Sequence, residues 1–116
     1  MSVTAAKGFD ASGIEAGLKA SGGKDFALVV NRGPLQHAAA VFTSNRVKAA
    51  PVVWSQRVVK DGALRAVILN SGGANACTGP EGFADTHLSA EAVAGELRGR
   101  GVEAGAIDVA VCSTGL

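Results

Sequence analysis

AVILNSGGANACTGPEGFADT, Ala66–Thr86, changes periodicity part-way along, and that change decides the fold class. Arg65–Asn70 is an apolar, β-branched run that ends on Asn and then meets glycine, as a strand entering a bend does. Thr78-Gly-Pro-Glu81 carries the residue types of a capping box, with Thr78 able to accept from a backbone N–H, Glu81 able to reach back and Pro80 in the first turn. A helix is therefore predicted to start there. From it Phe83, His87, Ala90, Ala94 and Leu97 recur at steps of four and three, the stripe of a helix about 20 residues long, ended by Gly99 and Gly101.

Working outward, Phe26–Asn31 repeats the pattern of apolar run, Asn and glycine, and reads as a strand. Ala38–Thr43 reads as its partner, and Val47–Trp54 as a further β-branched stretch. Ser55 is placed to cap a short helical turn over Gln56–Lys60, closed by Asp61-Gly62. Ile107–Ser113 is the last strand, apolar without alternation, as expected where both faces are covered. Strands both paired and separated by a helix predict an α/β layered sandwich in a single domain.

Composition narrows the function classes. Eleven basic and ten acidic side chains leave a net charge of +1 with no run of like charge, so a phosphate-binding stripe is missing and nucleic acid is not an expected partner. With aromatics at 4% and no Tyr, base-stacking platforms are also poorly supplied. No apolar run approaches the ~20 residues of a membrane span, and Met1–Phe9 lacks a signal peptide's basic head and apolar middle. The expectation is a soluble, cytoplasmic protein without a membrane partner. Cys77 and Cys112 have no C-x-x-C or H-x-x-x-H companion, so neither a disulfide framework nor a metal site is expected.

Candidate chemistry is sparse. The Asn70–Gly79 loop lies between a strand and a helix, where backbone N–H groups can cradle an anion. Its adjacent Gly72 and Gly73, with no lysine following, match neither the dinucleotide fingerprint nor the P-loop, and Gly17–Lys24 misses P-loop spacing by one residue. In the structural alternative Gly72 and Gly73 form a turn whose backbone Asn75 satisfies. Cys77 and Cys112 would be nucleophiles only beside a histidine, His37 or His87, and free cysteines are ordinarily buried. His87 falls on the apolar stripe, the place of a core histidine. Glu15, Asp25, Glu81, Asp85, Glu91, Glu96, Glu103 and Asp108 are scattered and read as solvated charges. Ser113-Thr114-Gly115 differs, because the Thr114 hydroxyl and the Gly115 N–H are adjacent donors at a strand's stiff end. Such a pair can form an oxyanion hole, and equally can be a plain turn.

AAAVFTSNRVKAAPVVWS at Ala38–Ser55, AVILNSGGANACTGPEGFADT at Ala66–Thr86 and VAVCSTGL at Val109–Leu116 together resemble the ornithine acetyltransferase family, the bifunctional glutamate N-acetyltransferases of arginine biosynthesis. The resemblance spans almost the whole chain. It implies an α/β fold, a layered α/β/β/α-type sandwich of which residues 1–116 form only the N-terminal part, within the alpha chain. The implied reaction moves acetyl from N2-acetylornithine to glutamate, with acetyl-CoA a co-substrate in many members and no cofactor. It proceeds through an acetyl-threonine on a nucleophile freed when the precursor cleaves itself. The implied partner is the beta chain of the same precursor, in a heterotetramer of two alpha and two beta chains. Within the family's motif, Thr114 and Gly115 form the oxyanion hole. The sequence departs from the family by lacking the later substrate-binding residues and cleavage site, which are expected beyond Leu116, and by placing Gly73 where many members have Asn. The alternative is a small anion- or nucleotide-binding module that uses the Asn70–Gly79 loop.

Overall fold

The computed structural model describes residues 2–115. Four strands form one mixed sheet in the order β1-β2-β3-β4: β1 Phe9–Ile14, β2 Phe26–Asn31, β3 Ala66–Ser71 and β4 Val109–Thr114. The first three pair antiparallel, with Leu28 opposite both Ser12 and Ile68, while β4 runs parallel to β3 with Val111 beside Ile68. The parallel pair is joined through the long helix α2, Gly79–Gly99, because a parallel return cannot be made by a tight turn. Helix α1, Ala50–Val58, continues as a single 3-10 turn, Val59–Asp61, and stops where Gly62 adopts φ 76°.

The core lies between one face of the sheet and the two helices. Val30, Ala66, Ile68, Val109 and Val111 meet Trp54 and Val58 of α1 and Ala90, Ala94 and Leu97 of α2. Ala90 and Ala94 are wholly buried, and their small side chains let the α2 backbone lie close to the sheet. Burial of Ile68, which has no accessible surface, contributes on the order of 2–3 kcal/mol. The opposite face is more open: Val29 and Val67 are half-buried and Leu69 is 41% accessible.

β4 is an edge strand whose outer edge is masked by α1. The Trp54 indole Nε1–H donates to the Val109 carbonyl (2.9 Å). The Ser55 hydroxyl donates to the Val111 carbonyl (2.7 Å) and accepts from the Val111 N–H (3.0 Å). One hydroxyl thus satisfies both edge groups of a residue with 3% accessible surface, which closes an edge that would otherwise template further pairing.

Several sequence expectations are corrected. The β-branched stretch Val47–Trp54 is not a strand; Pro51 sits in the first turn of α1, and the burial of Trp54 and Ser55 together with Val58 one turn further on outweighs the β preference of the valines. Ser55 is accordingly inside the helix, not at its cap. Ala38–Thr43 forms no strand, only a bridge at the preceding residue, His37 to Ala63, because β1 and β3 occupy both edges of β2. β1 is a strand that the sequence did not announce: Asp10, Ser12 and Gly13 are poor strand formers, and all six of its residues are exposed. The last strand begins at Val109, after the 3-10 turn Ala106–Asp108; its first three residues, Val109–Val111, are buried on both faces as expected, while Cys112 and Thr114 are exposed.

Candidate functional site

The C-terminal ends of β3 and β4 meet the N-terminal turns of α2 around a cavity of about 340 Å³ lined by Asn70, Asn75, Asp85, Thr86, Ser89 and Ser113, with Leu18 closing one side. The glycine loop forms its rim. Gly72 has φ 98°, and a Cβ there would stand 2.7 Å from the Leu18 carbonyl oxygen, so only glycine lets the β1–β2 connector approach this closely. The next residue ties the loop to β4, the Gly73 N–H donating to the Thr114 carbonyl at 3.2 Å.

Asn75 anchors the loop to α2. It adopts φ 51°, and its Nδ2 donates to the Gly82 carbonyl (2.7 Å) and to the Thr86 hydroxyl (2.9 Å), while the Thr78 hydroxyl donates to its Oδ1. Asn75 therefore braces the helix, where the sequence expectation had it satisfying its own turn. Thr78 precedes the helix as predicted but makes no side-chain cap bond, because its hydroxyl is turned to Asn75, so the capping box does not form. The same brace rotates the buried stripe: the residues facing inward are Gly82, Thr86, Ala90, Ala94 and Leu97, with Phe83 half-buried and His87 exposed. A Cβ at Gly82 would overlap Thr78 and Asn75, so a polar anchor, not apolar packing, selects the face of the first two turns.

His87 is consequently no core histidine. Its ring lies 5.1 Å from that of Trp54, which also meets Phe83 edge-on at 5.9 Å, and its Nε2 is 3.6 Å from Glu91. Cys77 and Cys112 are both free thiols on exposed residues, counter to the expectation of burial, and protein packed around the Cys112 sulfur pushes its pKa up, away from the nucleophilic thiolate. Among the described residues no group of three or more His, Cys, Asp or Glu is arranged to hold a metal ion. The lining of this cavity includes the Asp85 carboxylate and no lysine or arginine, an environment that repels an anion, whereas the Cys77–Gly79 end of the loop borders a separate cavity of about 200 Å³ whose lining includes Lys48.

Thr114 and Gly115 lie at the tip of β4, both exposed. Alternation along the strand puts Ser113 on the cavity side and Thr114 on the opposite, open face, opposite Ser71 of β3. The Thr114-Gly115 pair thus follows a strand end that is bonded to β3 and, through Gly73, to the glycine loop.

The family model described as ArgJ matches residues 10–116. The chain belongs to the ArgJ family. Among its relatives, the arginine biosynthesis bifunctional protein ArgJ of Mycolicibacterium paratuberculosis is 69% identical over 114 residues, 98% of this chain and 28% of that protein. The ArgJ of Streptomyces coelicolor is 66% identical over 116 residues, all of this chain and 29% of that one. The chain therefore spans less than a third of the length of these relatives. The crystal structure of ornithine acetyltransferase complexed with ornithine from Mycobacterium tuberculosis superposes with a TM-score of 0.96 at 68% identity, covering 98% of this chain and 59% of that one. ArgJ of Bacillus halodurans superposes at 0.84 with 41% identity, covering all of this chain and 58% of that one. These likenesses agree with the α/β layered fold; the mixed sheet with helices on one face is a partial α/β/β/α sandwich.

Sequence reasoning missed one residue beside this ArgJ-type strand tip. Asp25, read as a solvated charge, is 3% accessible, and its carboxylate accepts three backbone N–H bonds, from Ala16 (2.6 Å), Leu18 (2.6 Å) and Lys19 (3.0 Å). Those bonds, that from Ala16 foremost, hold its pKa below the ordinary 3.8 against the opposing effect of burial. The available hint was its position directly before the apolar run Phe26–Asn31, after a connector rich in glycine.

Proposed function

We propose that this chain works as the N-terminal part of the alpha chain of an ArgJ-type enzyme that transfers acetyl from N2-acetylornithine to glutamate in arginine biosynthesis, and that Thr114 and Gly115 supply the oxyanion hole. Membership of the ArgJ family, together with the Thr-Gly pair at a strand tip bonded on two sides, carries this reading. The ornithine bound in the mycobacterial relative supports the substrate class.

The chemistry follows from the donors. A threonine hydroxyl from elsewhere in the enzyme attacks the acetyl carbonyl carbon of acetylornithine, and negative charge gathers on the carbonyl oxygen. The Thr114 hydroxyl and the Gly115 N–H donate to that oxygen more strongly as its charge grows, which lowers the barrier without tightening substrate binding. The threonine's own amine takes the hydroxyl proton and passes it to the leaving nitrogen as the C–N bond breaks, so ornithine departs with a free amine, and glutamate's amine then takes the acetyl group by the same steps in reverse order, returning the proton to the threonine oxygen. These 116 residues supply donors and no nucleophile, so the isolated chain forms no product. The remaining polypeptide, as a beta chain in an α2β2 assembly in the cytoplasm, completes the site, with acetyl-CoA as an additional donor.

In the full-length enzyme, Thr114→Val lowers kcat by about 10²- to 10³-fold with KM for acetylornithine little changed. Turnover equal to that of the unsubstituted enzyme would remove the oxyanion role.

A further inference from the structure

The buried carboxylate of Asp25 is not used by the reaction described above, yet a continuous path leads from it to the tip of β4. Its two oxygens hold the backbone of Ala16, Leu18 and Lys19, bending the β1–β2 connector across the end of the sheet. Its own backbone is paired on both sides, N–H to the Ile14 carbonyl (3.0 Å) and carbonyl to the Ser71 N–H (2.9 Å). The residue after Ser71, Gly72, carries the Leu18 carbonyl against its Cα, and the next, Gly73, donates to the Thr114 carbonyl. Three consecutive residues of the loop are thus fixed, two by the Asp25 connector and one to the residue that presents the hydroxyl.

We propose that Asp25 is a positioning residue for the Thr114–Gly115 donor pair, clamping the β1–β2 connector onto Gly72 and so holding the Ser71–Gly73 backbone that sets the tip of β4. The proposal rests on the oxyanion reading of Thr114 and Gly115. A clamp that only stabilised the hairpin would lower the amount of folded enzyme and leave the properties of the folded fraction alone. A positioning residue alters the folded enzyme itself, because a donor displaced by a fraction of an ångström no longer meets the developing charge.

The test is a double-mutant cycle in the full-length enzyme, measuring kcat and KM for acetylornithine and glutamate per active site, with thermal unfolding run alongside. Asp25→Asn keeps the size of the side chain but turns one acceptor oxygen into a donor facing the Ala16, Leu18 or Lys19 N–H. It is expected to lower kcat about 10- to 100-fold with KM within about two-fold. Added to Thr114→Val it is expected to cost less than a further two-fold or so, since the displaced hydroxyl is already gone. Should Asp25→Asn not fold, Gly72→Ala perturbs the same path from the other side, its Cβ forcing the Leu18 carbonyl away, and the same non-additive pattern is expected. Losses that multiply in the double variant, or a folded Asp25→Asn enzyme with unchanged kcat, overturn the proposal while leaving the oxyanion hole intact. Full turnover by Thr114→Val alone overturns both.

Discussion

Ser55→Ala tests how the edge of β4 is closed. The substitution removes a single oxygen, yet two backbone groups lose their partner, the N–H and the C=O of Val111, at a residue with 3% accessible surface. Each buried group left unpaired costs about 1–3 kcal/mol, so the pair costs about 2–4 kcal/mol once partial relaxation is allowed. The penalty falls on local opening of β4, and native-state hydrogen exchange of a peptide spanning Val109–Thr114 reads it in a protein of any length. At 1.4 kcal/mol per factor of ten, protection of the Val111 amide should drop by roughly 30- to 700-fold. Val53→Ala, on the exposed side of the same helix, should leave that protection within about three-fold, because alanine suits a helix and no bond is lost. If Ser55→Ala exchanged at the unsubstituted rate, the hydroxyl would not be what closes the edge, and the account of α1 as its cover would be wrong.

Three further outcomes follow from the same geometry. Trp54→Phe strips the Val109 carbonyl of its indole donor while keeping most of the apolar contact, and should destabilise by about 1–3 kcal/mol in denaturant titrations, with the Val109 carbonyl left unpaired. Gly82→Ala should destabilise by about 1–3 kcal/mol despite alanine's better helix propensity, because its Cβ overlaps Thr78 and Asn75; a raised melting temperature would contradict the Asn75 brace. The Asp25 carboxylate, whose folded pKa lies below its unfolded value, contributes stability that is present above the ordinary carboxylate pKa of 3.8 and lost as pH falls through the depressed folded value. Asp25→Asn should therefore flatten the acid limb of the stability–pH profile, and an unaltered limb would show that the clamp does not ionise as described.

Local sequence was sufficient where a pattern and its partner lie close together. Val67-Ile-Leu69 and Val109-Ala-Val111 are read as strands from their apolar runs, the helix after Thr78 from Pro80 and the spacing of Ala90, Ala94 and Leu97, and the tip Ser113-Thr114-Gly115 from its position after an apolar run. The long quoted segments also carried the family. Tertiary contacts decided the rest, because the groups concerned find their partners far along the chain. Val52 and Val53 prefer a strand, yet they lie in a helix because Trp54 and Ser55 bond to carbonyls more than 50 positions away. β1 is a strand because β2 offers it an edge, not because Asp10, Ser12 and Gly13 favour one. Asp25 is a surface charge by composition and a buried clamp in the fold, since only a folded connector can aim three N–H groups at one carboxylate. Periodicity records which residues can face one way together; which backbone group each polar atom satisfies is settled only when distant segments meet, and that satisfaction placed α1, the first turns of α2 and the tip of β4.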